Sequence, residues 1–493
     1  MGLVWECERR FPVADWRVGE IHAWPLIRKN LAENLRTLPA EAAARGQLSR
    51  ALRGALEQQR AAALDCRRNA RVRESDVLFL SNASCRSVVN ARWMDRLCDP
   101  VRERLELMGH HCLHLELAAQ EQYRIPRWRN SKYMQQAVMW QHLGNVLRPR
   151  QWEDREVELA GFEDLLDYVK QDIYPEWRFS RAILLQSCSL LEKLALTFGR
   201  ILGATQARLV FVMCYYGLTG LAAIHAARQR QILSVDLQHG VQGELHFAYG
   251  PWTNCPREGF TLLPDRFWCW SEADAGQINS WATVTAPRHS AFAGGNPWAS
   301  YWHYSNAAGA ADVRERLRAV RQRLGGSRQI LISLQWGADA ASPLPPEIAR
   351  CIARAPEDWR WWIRFHPSDA LAMHSSTGRG TGLPQERIEW QAANTLPLPL
   401  LLPAMDAHLT RSSSVVQEAA AVGVPSVVTH ATGSEYYCAD IAAGTVRYAS
   451  QSDEITNALK ELTQARSGSA GPGQALDWDV SLRRLGESTG PVF

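Results

Sequence analysis

Read for the spacing of its apolar positions, the chain changes texture three times. Residues 1–74 are rich in Ala, Leu, Arg and Glu, as in AEAAARGQLSRALRGALEQQRAAALDC (40–66). Good helix formers dominate there, so a helical N-terminal region is predicted. From Asp76 onward, short apolar runs bounded by polar residues set in. DVLFL (76–80), RLVFVMCYY (208–216), ILSVDL (232–237) and DRFWCW (265–270) read as buried parallel strands. Two helical stretches separate the first run from the second. Gly217 and a helix to about Arg230 separate the second from the third, which is βαβ spacing.

Residues 287–309 are rich in Gly, Pro, Ser and Asn and read as a connection. Beyond them the alternation resumes: QILISL (329–334), a helix from Pro346, WRWWIRF (359–365), RIEW (387–390), AHLT (407–410), a helix from about Ser414, and PSVVTH (425–430). Two such series predict an α/β chain of two Rossmann-like, doubly wound domains facing a cleft. The boundaries expected are 1–74 for the helical extension, 75–300 for the first domain and 301–465 for the second. RSGSAGPGQ (466–474) opens a flexible tail over 466–493.

Composition narrows the classes. A chain of 493 residues exceeds what one small core organises. Lys and Arg number 55 against 51 Asp and Glu, which gives no support to a nucleic-acid-coating protein. Eleven cysteines stand singly with no C-x-x-C pair, a spacing that fits neither a zinc site nor a disulfide framework. Reduced thiols in a cytoplasmic protein are the expectation. No run of eighteen apolar residues suggests a membrane span, and contact with the inner face of a membrane stays open. No metal cluster and no cofactor is expected.

Chemistry is expected at the carboxyl ends of the strands, where open α/β sheets bind ligands. WRWWIRF ends at His366-Pro367, and AHLT runs into Ser412, Ser413 and Ser414 ahead of a helix. Free N–H groups and hydroxyls at such a turn suit a phosphate. A plain capping box of Ser414 with Gln417 is the alternative. Glu418 suits ribose hydroxyls or simply the helix dipole. Gly433 and Glu435 in THATGSEYY (429–437) suit the same ligand or a simple turn.

In the first series, SVDLQHGVQGELHFAYGPW (234–252) carries the other candidates. His239 follows a strand end beside Gly240, and a neutral imidazole there can deprotonate an acceptor hydroxyl. Asp236, His246 and Glu244 remain alternatives for the base. Gln238, Gly240, Glu244 and Trp252 line the acceptor side in this reading, Trp252 as a sugar platform or as core.

These motifs carry a resemblance. RFHP and TRSSSVVQEAAAVGVP resemble the donor domain of GT-B glycosyltransferases with an HP motif and a Ser-rich motif, including bacterial sialyl-, polysialyl- and Kdo transferases. The resemblance implies that His366, Pro367, Ser412, Ser413 and Ser414 contact the nucleotide of a CMP-sugar. The segment around His239 is similar to one in capsule and lipopolysaccharide transferase-like proteins. The implied activity is transfer from a nucleotide-sugar donor to a glycan or lipid-linked glycan acceptor, without metal. GGNP (294–297) and the serine motif also resemble non-hydrolysing UDP-N-acetylglucosamine 2-epimerases, although those carry Ser-Gly-Gly where this chain has Ser-Ser-Ser. A non-catalytic partner in glycan assembly is the remaining alternative.

Overall fold

The computed structural model of the chain describes residues 1–36, 74–117, 126–285, 288–304, 307, 309–335, 344–366, 383–465, 481–482 and 485. It forms two compact units. Unit 1 comprises Met1–Ser87, Arg92–Asn296 and Leu476–Phe493, and unit 2 comprises Val88–Ala91 and Pro297–Ala475.

Unit 1 is built on seven strands: β1 (Val77–Asn82), β2 (Cys112–Leu117), β3 (Lys132–Tyr133), β4 (Leu209–Met213), β5 (Leu233–Leu237), β6 (Arg266–Cys269) and β7 (Ser290–Ala293). All run parallel, in the order β7-β6-β5-β4-β1-β2-β3. Unit 2 holds β8 (Arg328–Ser333), β9 (Trp359–Arg364), β10 (Ile388–Glu389), β11 (Ala407–Thr410), β12 (Ser426–Val428) and β13 (Val446–Tyr448). These too are parallel, in the order β10-β9-β8-β11-β12-β13. Both sheets therefore contain the 3-2-1-4-5-6 order of the doubly wound nucleotide-binding fold, unit 1 with β7 added beyond β6. The order reverses between β1 and β4 in unit 1, and between β8 and β11 in unit 2. The carboxyl ends of those strands are where such a fold opens a ligand crevice.

The apolar runs are continuous because both faces of each sheet are covered. Val77, Phe79, Leu209 and Phe211 pack with Val101 and Leu105 of the helix Cys98–Leu107 on one face of unit 1. Leu78, Leu80, Val210 and Val212 alternate onto the other face, against the helices Arg181–Thr205 and Leu218–Gln229. In unit 2, Trp359, Trp361 and Ile363 meet the helices Pro346–Arg354 and Ser452–Ala465, while Leu331 and Trp362 point the other way. The helix Arg181–Thr205 is long and apolar enough to cross a membrane. Leu184, Leu191, Leu194, Phe198 and Leu202 instead pack into the core of unit 1.

The structure corrects four expectations. The N-terminal region is no separate helical domain. Its described part has the helices Gly2–Arg10 and Trp24–Arg36, and the strands Arg17–Val18 and Ile21–His22. Val4, Cys7, Trp16, Trp24, Ile27 and Leu31 share one core with Leu78 and Val210. The alanine-rich run 40–66 lies outside the described residues. Second, residues 287–309 do connect the two units, which meet at Asn296 and Pro297, but they hold β7 and the helix Pro297–Tyr304 rather than a plain linker. Asn279 holds the backbone of Ala291 from both sides, accepting from its N–H (2.7 Å) and donating to its carbonyl (2.8 Å). Trp298 and Trp302 bury the helix.

Third, the stretch before β4 contains β2 and β3 as well as helices. CLHLEL did not read as a core strand because His114 and Glu116 interrupt it, yet both are buried. Finally, the C-terminal residues are not a free tail: Leu482 and Leu485 sit in the core with Phe79, Phe211 and Trp268. The linker 466–474 lies outside the described residues.

Candidate functional site

At the carboxyl edge of unit 1, β4 ends at Met213 and Cys214 takes a φ of +63°. A side chain there is strained, and such strain recurs where function over-determines the backbone. The turn delivers Tyr215 and Tyr216 to the edge. The Tyr215 N–H donates to Asp236 Oδ1 (3.2 Å) and the Tyr249 hydroxyl to Asp236 Oδ2 (2.9 Å). The Tyr215 hydroxyl donates to the Ala248 carbonyl (2.5 Å), tying this turn to the loop after β5.

His239 stands half-buried above Asp236. Its Nε2 faces the Tyr216 hydroxyl (3.2 Å) and Cys214 Sγ (3.5 Å), and its buried Nδ1 has no partner. Burial lowers the His239 pKa, with Asp236 opposing. The imidazole is therefore neutral at pH 7 and able to accept a proton.

The other base candidates fare differently. Asp236 is wholly buried beneath the histidine with both oxygens engaged. His246 uses Nδ1 to accept the Ala248 N–H (3.1 Å), and its ring leans on Tyr216 and Tyr249. Glu244 is exposed.

Two acceptor-side assignments are corrected. Gln238 is fully buried. Its amide donates to the carbonyl of half-buried Gly240 (2.9 Å) and to Asp274 (3.3 Å), and its oxygen accepts the Trp270 N–H. It clamps the loop. Trp252 lies in the core with the Arg28 guanidinium 3.9 Å over its ring, so it offers no face to a sugar. Neither Gly240 nor Gly243 takes a positive φ, so the turn does not depend on glycine's freedom.

Burial pushes the Asp236 carboxyl up to about 7 from 3.8. Between those values the folded chain keeps a proton that the unfolded chain releases, so stability falls as pH rises through that window. The slope approaches about 1.4 kcal/mol per pH unit. Asp236→Asn lacks this slope. Denaturant unfolding at several pH values should show the variant gaining on the wild type from about pH 4 to about 7, then holding level.

At the carboxyl edge of unit 2, β8 leads to Gln335, β9 to His366, and β11 to the serine turn. His366 is half-buried at this edge. The preceding Phe365 N–H is held by Asn394 (2.8 Å) and its ring stacks on Trp390. Pro367 lies outside the described residues. The amide orientation that satisfies Gln335 places its oxygen 3.1 Å from the Ser412 N–H and 2.7 Å from the Ser413 N–H. The two amides offered to a phosphate are thus held by a side chain. Ser413 Oγ accepts the Val415 N–H (3.3 Å), and the Tyr437 hydroxyl donates to the Ser413 carbonyl (2.7 Å).

Ser414 makes no side-chain cap, so the alternative reading of a capping box with Gln417 does not hold. Glu418 is half-buried in the first turn of the short helix Val415–Ala421. THATGSEYY is not a loop: Ala431–Tyr436 is helical, with His430 Nδ1 accepting the Thr432 N–H (3.2 Å). Gly433 is needed for packing, since a Cβ there would lie 2.3 Å from the Arg411 carbonyl oxygen. Glu435 is exposed.

Sequence reasoning missed Cys214, Tyr216, Tyr249 and Gln335. For Cys214, Tyr216 and Gln335 the available signal was position, at the ends of the runs 208–216 and 329–334; Tyr249 had none.

No protein-family model matches the chain, and no curated protein matches it. Solved structures with similar architecture include UDP-GlcNAc 2-epimerase from Neisseria meningitidis bound to UDP-GlcNAc, at 14% identity and TM-score 0.45, covering 84% of this chain and 98% of that one. The UDP-GlcNAc 2-epimerase from Methanocaldococcus jannaschii is 11% identical with TM-score 0.45, covering 83% and 99%. The glycotransferase of kitacinnamycin is 14% identical with TM-score 0.41, covering 85% and 97%. Likeness at this level carries no reaction or residue role to this chain, and its α/β class rests on its own two parallel sheets.

Proposed function

We propose that the chain is a glycosyltransferase that moves a sugar from a nucleotide-sugar donor, a CMP-sugar in the first instance, to a bacterial surface glycan. The observation that carries this reading is the shared strand order of the two sheets, with His239 in one unit and His366 with Ser412 and Ser413 in the other at the carboxyl edges. In this reading unit 2 binds the nucleotide, and unit 1 supplies the base. The leaving phosphate gathers negative charge as the glycosidic bond breaks. Donors fixed in advance at His366 and the serine hydroxyls lower that barrier. His239 takes the proton of the attacking hydroxyl while Asp236 lies buried beneath it.

A thermal-shift panel of CMP-, UDP-, GDP- and TDP-sugars tests the reading, because a ligand that binds the folded state raises its melting temperature. UDP-GlcNAc belongs in the panel because the structures from Neisseria meningitidis and Methanocaldococcus jannaschii hold it. A CMP-sugar is expected to give the largest shift. His366→Ala and Ser412→Ala/Ser413→Ala are expected to lose that shift while melting as the wild type does without ligand. A chain whose melting responds to no nucleotide is not a nucleotide-sugar enzyme. A response to UDP-GlcNAc with interconversion to its 2-epimer makes it an epimerase.

A further inference from the structure

Below the ends of β1 and β2 lies a second cluster, closed off from solvent, that the proposed transfer leaves unused. Ser81, Arg86, Asp95, Cys98, Asp99, His114 and Glu116 are all buried. Arg86 pairs with Glu116 and lies 3.6 Å from Asp99, and Arg127 lies 3.3 Å from Glu116. Three carboxylates thus face two guanidiniums around His114.

The protons can be placed. Ser81 Oγ donates to Asp95 Oδ2 (2.7 Å) and lies 2.7 Å from His114 Nε2. A hydroxyl has one proton, so Nε2 carries the proton that Ser81 Oγ accepts. His114 Nδ1 faces Asp99 Oδ1 at 3.8 Å, and neither atom has a hydrogen-bond partner. Away from water such a pair is costly unless a proton or a metal ion lies between the two atoms.

We propose that this cluster binds a divalent transition metal, zinc by its donor set, through Asp95, Cys98 and His114, with Asp99 in reach as the fourth ligand. Asp95, Cys98 and His114 already place one ligand atom each within 4.8 Å of one another. Zinc bonds of about 2.0–2.3 Å bridge such separations after small side-chain shifts. Asp95 Oδ1 is held by the Leu97 and Cys98 N–H groups (3.0 and 2.8 Å), which orients the carboxylate and leaves Oδ2 a second lone pair.

Thiol and imidazole donors select zinc over magnesium or calcium, which take oxygen ligands. With no opening to solvent, the ion is structural: it ties β1, β2 and the helix Cys98–Leu107 together. D-x-x-C-D (95–99) with His114 fifteen residues beyond Asp99, after His110 and His111, is no recognised spacing, which is why the sequence does not announce it.

The test uses the full chain produced with zinc present. Elemental analysis should find about one zinc per chain, lost in Cys98→Ser and in His114→Ala. Cobalt in place of zinc should give thiolate-to-cobalt charge-transfer absorption in the wild type and in Cys438→Ser, but not in Cys98→Ser. Should the cluster variants fail to fold, the wild type alone decides. Metal-free wild-type protein whose melting temperature ignores added zinc overturns the proposal, as does a cobalt form without charge-transfer absorption. Neither outcome bears on nucleotide binding.

Discussion

Replacing His239 by alanine is expected to lower turnover by about 10²- to 10⁴-fold, the range for loss of a positioned general base. Nucleotide affinity should stay at the wild-type value, because the nucleotide residues proposed lie on the other unit. Among the residues after β5, His239 alone combines a neutral imidazole, an unpartnered ring nitrogen and a place at the sheet edge. Melting should change little, since its contacts to Tyr216 and Cys214 are few. Steady-state kinetics with a verified donor and acceptor, beside a nucleotide titration, checks both halves. Wild-type turnover in the variant would remove His239 from the reaction.

Arg28→Met is expected to destabilise the chain by about 3–5 kcal/mol, the cost of breaking a buried ion pair from one side. The Arg28 side chain is sealed from water and pairs with an equally sealed Glu8. It also donates to the carbonyls of Phe247 (2.7 Å) and Pro251 (3.0 Å). Glu8 in turn accepts from Trp24 and from both the N–H and the hydroxyl of Thr253, each at 2.8 Å. In the variant Glu8 would remain buried without its cation. Changing both partners, Glu8→Gln with Arg28→Met, should recover part of the loss. Denaturant unfolding measures each step, and a loss below about 1 kcal/mol would place the pair among ordinary solvated ion pairs.

Legibility followed burial chemistry. VLFLSN and LVFVM are apolar on both faces, so a buried parallel strand was the direct reading and the structure has it. CLHLEL has the same role but was hidden, because His114 and Glu116 look like surface residues until their partners Ser81 and Arg86 come from other segments. Partners distant in sequence leave no local pattern. The same holds for the site: His239 was visible beside a strand end, whereas Gln238 and Trp252 looked available only because Asp274 and Arg28, which engage them, lie 36 and 224 residues away. The serine turn was found by composition, but Gln335, 77 residues upstream of Ser412, was not.

Leu482 and Leu485 complete one face of the sheet in unit 1, although the chain has by then passed through the whole of unit 2. On the ribosome, domains ordinarily fold in the order they emerge. Here residues 297–465 are fully synthesised before the last leucines that seal the first sheet leave the exit tunnel. The Phe79, Phe211 and Trp268 face lacks part of its cover during that interval, several seconds to a few tens of seconds at about 5–20 residues per second. A chaperone that shields exposed apolar surface has its window there, and a stalled or prematurely ended chain would present that half-covered aromatic face to the cell.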